Sequence, residues 1–287
     1  MSRATPVHHE YTSQARESLS PREMLASLVR HRYLLGQLVR RSVRGSFGGS
    51  AGGLAWVVAK PLLMMAVYTL VFGFVFKSRF FQNANPHDPL EFALALYVGL
   101  AAFTVLADML GKAPGLVVGN ANFVKKVVFP VEMFVVAEFG AALFYFAVGM
   151  ALFVPLMLLH YGSLPWSALA TPVIVAPLFM ITLGVSWLVA SLGVYLRDIG
   201  QIMPIVITVL MFLSPIFFPV DALPAGVQDW VALSPVTWTV EQLRAAFFLG
   251  RAPSAAGVAI NMAVGLLVMW LGWAWFQKTK RGFADVL

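Results

Sequence analysis

The side chains able to do chemistry are few and badly placed for it. Five histidines, His8, His9, His31, His87 and His160, all fall outside the long apolar runs. No pair has the HExxH-type spacing that sets two ligands on one helix face, so no metal site is implied. The carboxylates of a proton or sodium relay are also misplaced: Glu91, Asp108, Glu132, Glu138 and Asp198 sit at or near the ends of those runs. Glu138 is the deepest, and reads as a boundary residue paired with a nearby lysine. No GxxxxGK[ST] occurs anywhere, so the chain is not expected to bind or hydrolyse ATP by itself. Catalytic residues and a cofactor held by this chain are therefore not expected. What remains is a conduit whose energy must come from a partner.

The elements that would form such a conduit follow from composition. The chain has 287 residues, 60% of them hydrophobic and 11% charged, with a mean hydropathy of +0.81. That lies far outside the range of soluble domains. Backbone groups in lipid must be satisfied within the segment, and the runs are too long and continuous for barrel strands. An all-α integral membrane protein follows. The net charge of +7 sits beside the apolar runs, where lipid headgroups and the cytoplasmic bias account for it better than nucleic acid does. Cysteine is absent, so no disulfide framework arises. No signal peptide is expected either, because the first twenty residues are polar.

Taken in order, residues 1–19 are polar and expected to be a disordered cytoplasmic tail. Ser20-Pro21-Arg22-Glu23 combines a capping serine, a proline at the first helical position and a glutamate at the third. It opens an amphipathic helix and glycine-rich turn over 20–50. Met24, Leu25, Leu28, Val29, Leu35, Leu38, Val39 and Val43 share one side of that helix, and Arg22, Arg30, Arg40, Arg41 and Arg44 another. Such a helix lies at a membrane interface. There Arg40, Arg41 and Arg44 either anchor the topology or contact an anionic lipid headgroup.

The remaining 51–287 reads as a six-span domain, with spans near 54–76, 92–109, 133–159, 166–195, 199–218 and 257–276. Residues 111–132 read as a helix-breaking, basic connection between the second and third spans. Residues 219–253 are too polar and proline-broken to cross, and read as a re-entrant outer hairpin. Lys and Arg concentrate on the side of the N-terminus, so both termini are expected in the cytoplasm.

Four stretches, in order, carry a family resemblance. Arg44-Gly45-Ser46-Phe47, then Ser50, Gly53, Leu54, Trp56 and Pro61-Leu62-Leu63, is similar to the approach to the first span in permease subunits of ABC exporters of the polysaccharide and polyol-phosphate family. Asn122-Phe123-Val124-Lys125-Lys126-Val127-Val128-Phe129-Pro130-Val131-Glu132 resembles the loop before that family's third span. Tyr195-Leu196-Arg197-Asp198-Ile199 resembles its second inner loop. Ser214-Pro215, Ser234-Pro235 and Arg244 resemble its outer hairpin. Gly48 and Gly52 stand where an arginine and a leucine are usual, and Ser234 where an asparagine is.

The resemblance implies an inner-membrane homodimer working with two copies of an ABC ATPase subunit, which uses ATP and Mg. The cargo would be a lipid-linked polysaccharide such as O-antigen; capsule, teichoic acid or a small lipid or drug remains open. It also implies roles. Asn122, Lys125, Lys126, Phe129, Pro130, Glu132, Arg197 and Asp198 would couple to the ATPase, or else serve topology and local salt bridging. Trp56, Tyr68, Phe72, Phe76, Phe212, Phe217 and Phe218 would line the channel, where flat rings let sugar faces slide, or else pack the bundle. Pro219, Trp230, Trp238 and Arg244 would belong to an outer gate.

Overall fold

The computed structural model describes residues 20–45, 52–53, 55–75, 88–126 and 129–287. The expected tail over 1–19, most of the glycine-rich turn, Phe76 and the polar loop up to His87 lie outside the described residues. Within them every regular element is helical.

The N-terminal helix forms in two pieces, α1 (Pro21–Arg30) and α2 (Arg32–Gly45). Ser20 Oγ accepts from the Glu23 amide at 3.1 Å, which satisfies one of the first-turn donors. His31 ends α1, its amide turned back onto the Ser27 and Val29 carbonyls. Met24 is buried, while Leu28, Leu35 and Leu38 pack against the core. Arg40, Arg41 and Arg44 are exposed.

Among the described residues, five helical stretches are long and apolar enough to cross a membrane: Ala55–Phe72, Leu90–Val118, Glu132–Tyr161, Trp166–Tyr195 and Ala255–Val286. They contain α3 (Ala55–Tyr68), α4 (Pro89–Val118), α6 (Glu132–Tyr161), α7 (Thr171–Tyr195) and α11 (Ala255–Thr279), with the short α5 (Ala121–Lys126) between α4 and α6. The expected fifth span is shorter than the sequence suggests. Its helix α8 (Ile199–Leu213) has 15 residues, about 22 Å of rise against a hydrocarbon core of about 30 Å. Ser214 to Phe218 then leave the helix. The stretch from Pro219 onward folds into α9 (Ala225–Ala232) and α10 (Pro235–Phe248), and a final turn, α12 (Phe283–Val286), follows α11.

The second span corrects the sequence reading. Residues 111–118 are not a helix-breaking connection but the last turns of α4, which is 30 residues long. Pro114 gives up one helical hydrogen bond, yet Ala113, Pro114 and Val117 are buried there. Gly193 of α7 makes room: a Cβ on it would stand 2.4 Å from the Pro114 carbonyl oxygen. Close packing outweighs the local tendency to break.

Helix α4 is the hub, touching α3, α6, α7, α8 and α10. α7 packs along α11 on the other side. Their backbones nearly touch, since a Cβ on Gly272 would lie 1.9 Å from the Gly184 carbonyl oxygen. Small residues are what permit such an approach between membrane helices. Trp187 and Trp273 then close the seam edge to face, centroids 5.2 Å apart. By contrast α3 and α8, both resting on α4, turn large apolar side chains outward: Leu63, Val67, Ile205, Val209 and Phe212 are about half exposed or more.

Candidate functional site

Three groupings of side chains stand out. The first is aromatic. Helix α3 carries Pro61 in its interior and passes into a π-helical turn over Thr69–Val75, a distortion common at functional positions. The Thr69 hydroxyl donates to the Met65 carbonyl at 2.8 Å where the winding changes. There Phe72 stacks on Phe217, centroids 5.5 Å apart. Tyr68 meets Phe217 edge-on at 6.5 Å, and Phe212 lies 6.0 Å from the same ring. Four of the expected channel residues thus form one cluster joining the end of α3 to the end of α8. Trp56 stands apart at the start of α3, its indole folded over Gly52, where a Cβ would come within 2.6 Å of the ring nitrogen. Phe218 is half-buried beside the cluster in sequence.

The second grouping is built on Arg244 of α10, which is 3% exposed. Its Nε donates to the Ala95 carbonyl of α4 at 3.1 Å. One terminal nitrogen donates to the Pro215 carbonyl at 2.6 Å and to Glu241 at 3.1 Å. The other donates to the Ile216 carbonyl at 2.6 Å. Helix α8 ends just before these carbonyls and leaves them without intrahelical partners. The planar fork of arginine suits several acceptors at once. Burial pushes the Glu241 carboxyl up, with Arg244 pulling it back down, and brings the guanidinium down to about 10, still a cation at neutral pH. The expected gate residues are therefore not one patch. Trp230 on α9 is exposed, Trp238 is half-buried near Gly257, Pro219 begins the turn before α9, and Arg244 is a clamp in the interior.

The third grouping gathers the expected coupling residues at one end of the bundle. On α5, Asn122 is exposed, and Lys125 and Lys126 end the helix. Phe129 stacks on Phe134 at 4.8 Å and closes a triangle with Phe123 at 5.4 Å; Pro130 next to it is half-buried. Arg197 and Asp198 are exposed between α7 and α8. Glu132 is different: it is 5% exposed, with its carboxylate 3.5 Å from the Lys280 ammonium. Its carbonyl accepts from the Trp187 indole at 3.3 Å.

The sequence reading missed the last residues of the chain as part of this end. Tyr195 donates to the Thr279 carbonyl at 2.8 Å, Phe283 is buried against Tyr195 and Phe276, and α12 touches both α5 and α7. The one available sign was Phe283, an apolar residue just after a basic cluster. Glu138 is paired as expected, with Lys112 on α4, and it also accepts from Ser42 on α2. Among the described residues no cluster of three metal-capable side chains occurs.

A family model described as "ABC-2 type transporter" matches residues 33–248. The chain is 25% identical, over 91% of its own length and 98% of the other, to the O-antigen export system permease protein RfbA of Myxococcus xanthus. It is 21% identical, over 85% and 92%, to the polysialic acid transport protein KpsM of Escherichia coli. It is 23% identical, over 89% and 94%, to the capsule polysaccharide export inner-membrane protein CtrC of Neisseria meningitidis serogroup B.

Proposed function

The chain belongs to the ABC-2 type transporter family, and from that premise we propose that it is the channel-forming permease subunit of an ATP-driven exporter of lipid-linked polysaccharide, O-antigen-like in class. The observation that carries the reading is the near full-length likeness to an O-antigen export permease. Capsule polysaccharide is the second reading, favoured by the likeness to KpsM and CtrC. ATP and Mg are used by a separate ATPase subunit.

In this reading two copies of the chain and two of the ATPase assemble in the inner membrane. The outward apolar faces of α3 and α8 supply the contact between copies and the path between them. The cluster of Tyr68, Phe72, Phe212 and Phe217 lines that path, because stacked rings offer wide apolar faces and few fixed hydrogen bonds. Helix α8 completes a sixth crossing together with Ser214 to Phe218, and α9 and α10 dip back from the outer face as a gate. The pair α1–α2 lies along the cytoplasmic interface with Arg40, Arg41 and Arg44 among headgroups, and both termini are cytoplasmic. The exposed Asn122, Arg197 and Asp198 dock on the ATPase, while Phe129 and Glu132 hold the docking loops in shape.

The test is surface polymer in a strain whose own copy of the gene is deleted. Supplying the chain with its ATPase restores export, and a nucleotide-binding-defective ATPase does not. Phe72→Ala reduces surface polymer while the assembled complex keeps its size by gel filtration. Export that persists with the defective ATPase would overturn the reading, and normal surface polymer in Phe72→Ala would remove that ring from the path.

A further inference from the structure

Beneath α2, between the ends of α4 and α6, lies an open cavity of 540 Å³ whose walls include Arg41, Ser42, Lys112, Asn120 and Glu138. The carboxylate of Glu138 is satisfied on both oxygens, one by Lys112 and the other by the Ser42 hydroxyl. Its charge is thereby neutralised, and its role is to hold Lys112 in place. An ammonium has three donors and this pair uses one, so two remain for an occupant. Among the described residues no carboxylate pairs with Arg41. The charged side chains on the cavity wall, Arg41, Lys112 and Glu138, sum to one positive charge, and Asp108, one turn before Lys112 on α4, is the further carboxylate that interacts with Lys112.

Two further features fit a lipid better than a soluble anion. Leu38, Leu116 and Phe134 line the same cavity, so polar and apolar walls face each other across it. Gly45 and Gly115 are both on its wall, and each faces open space, since a Cβ on either would meet nothing within 4 Å. The Asn120 amide donates to the Leu116 carbonyl at 2.8 Å, which leaves its oxygen to accept from a headgroup hydroxyl.

We propose that this cavity binds the phosphate headgroup of an anionic membrane lipid, with Arg41 and Lys112 on the phosphate and the lipid's glycerol or prenyl portion against Leu38, Leu116 and Phe134. The inference rests on the reading of α1–α2 as a cytoplasmic interfacial segment. A lipid seated there fastens α2 to the ends of α4 and α6. Phosphate from the bilayer's own glycerophospholipid and from a polyprenyl carrier share this chemistry.

The experiment is native mass spectrometry of the complex of full chain and ATPase, purified from membranes and washed in mild detergent. Wild type is compared with Arg41→Gln, with Gly115→Phe, which fills the cavity, and with Arg32→Gln, which removes an equal exposed charge from the same helix outside it. Wild type and Arg32→Gln should retain an anionic lipid; Arg41→Gln should retain about tenfold less, as the loss of one charge-assisted contact predicts, and Gly115→Phe should retain as little because its ring takes up the space. The retained mass names the source, glycerophospholipid or polyprenyl phosphate, and either upholds the site. Equal retention in wild type and Arg41→Gln, or equal loss in Arg32→Gln, overturns it. Surface polymer measured in the same strains separates the two ideas: a wild-type chain that keeps its lipid yet exports nothing would sink the export reading and leave the site standing.

Discussion

The Arg244 guanidinium donates to the Ile216 carbonyl at 2.6 Å across 28 residues of sequence. One cation on α10 thereby finishes a helix that is too short by itself to cross a bilayer. Its other contacts are to Pro215, Ala95 and Glu241, so the end of α8, α10 and the hub helix α4 share a single side chain.

Arg244→Met should therefore be among the most damaging substitutions in the chain. It leaves the Pro215 and Ile216 carbonyls and Glu241 without their buried donor, a loss of about 3 kcal/mol or more. Arg244→Lys keeps the charge but cannot fork to several carbonyls, and should recover less than half of the loss. Thermal unfolding of the purified protein in detergent measures both. A melting temperature in Arg244→Met equal to wild type would mean the carbonyls find other donors and that the clamp is incidental.

The seam between α7 and α11 gives a second prediction. A side chain at Gly272 must displace the Gly184 backbone rather than a flexible tip, because the obstructing atom at 1.9 Å is a carbonyl oxygen. Gly272→Val should cost about 3 kcal/mol, the upper end of overpacking penalties, and lower the yield of folded protein. Gly226 is the control: a Cβ there meets nothing within 4 Å, so Gly226→Ala should be close to silent. Comparable yields and melting curves for Gly272→Val and Gly226→Ala would show that the two helices can separate at little cost.

What the sequence makes legible follows from which interactions are local. Helices long and apolar enough to cross a membrane stand at Glu132–Tyr161 and Trp166–Tyr195, within two residues of the bounds 133–159 and 166–195 that apolar length alone suggests. The C-terminal end of α4 is misread because Gly111, Pro114 and Gly115 are local breakers, while the distant Gly193 makes room for Pro114. Glu138 is legible as a paired boundary residue. Its bond to Ser42, 96 residues away, has no local trace, because nothing near Ser42 foretells which span its helix will lie across. The same holds for Glu132: its place before a span is visible, but its burial against Lys280 is set by how α11 returns to the start of α6.

That pair supports the last prediction. Glu132 begins α6 and stands at the end of the connection from α4, while Lys280 follows α11 and neighbours Thr279, to which Tyr195 at the connection between α7 and α8 is bonded. The two connections are thus tied to each other through the segment Thr279 to Phe283 as well as through α7. Removing only the lysine strands a buried carboxylate, so Lys280→Met should destabilise by about 2 kcal/mol, scaled down from a fully buried pair because the ammonium is a third exposed. Adding Glu132→Gln should restore most of that loss, which a double-mutant cycle on thermal unfolding reads directly. If the two connections act together, the restored double variant should still show weakened polymer-stimulated ATPase activity, since its fold is repaired but its ionic tie is not. Additive losses in the cycle would show that the two side chains do not interact, and wild-type ATPase coupling in the double variant would leave the tie with a structural role alone.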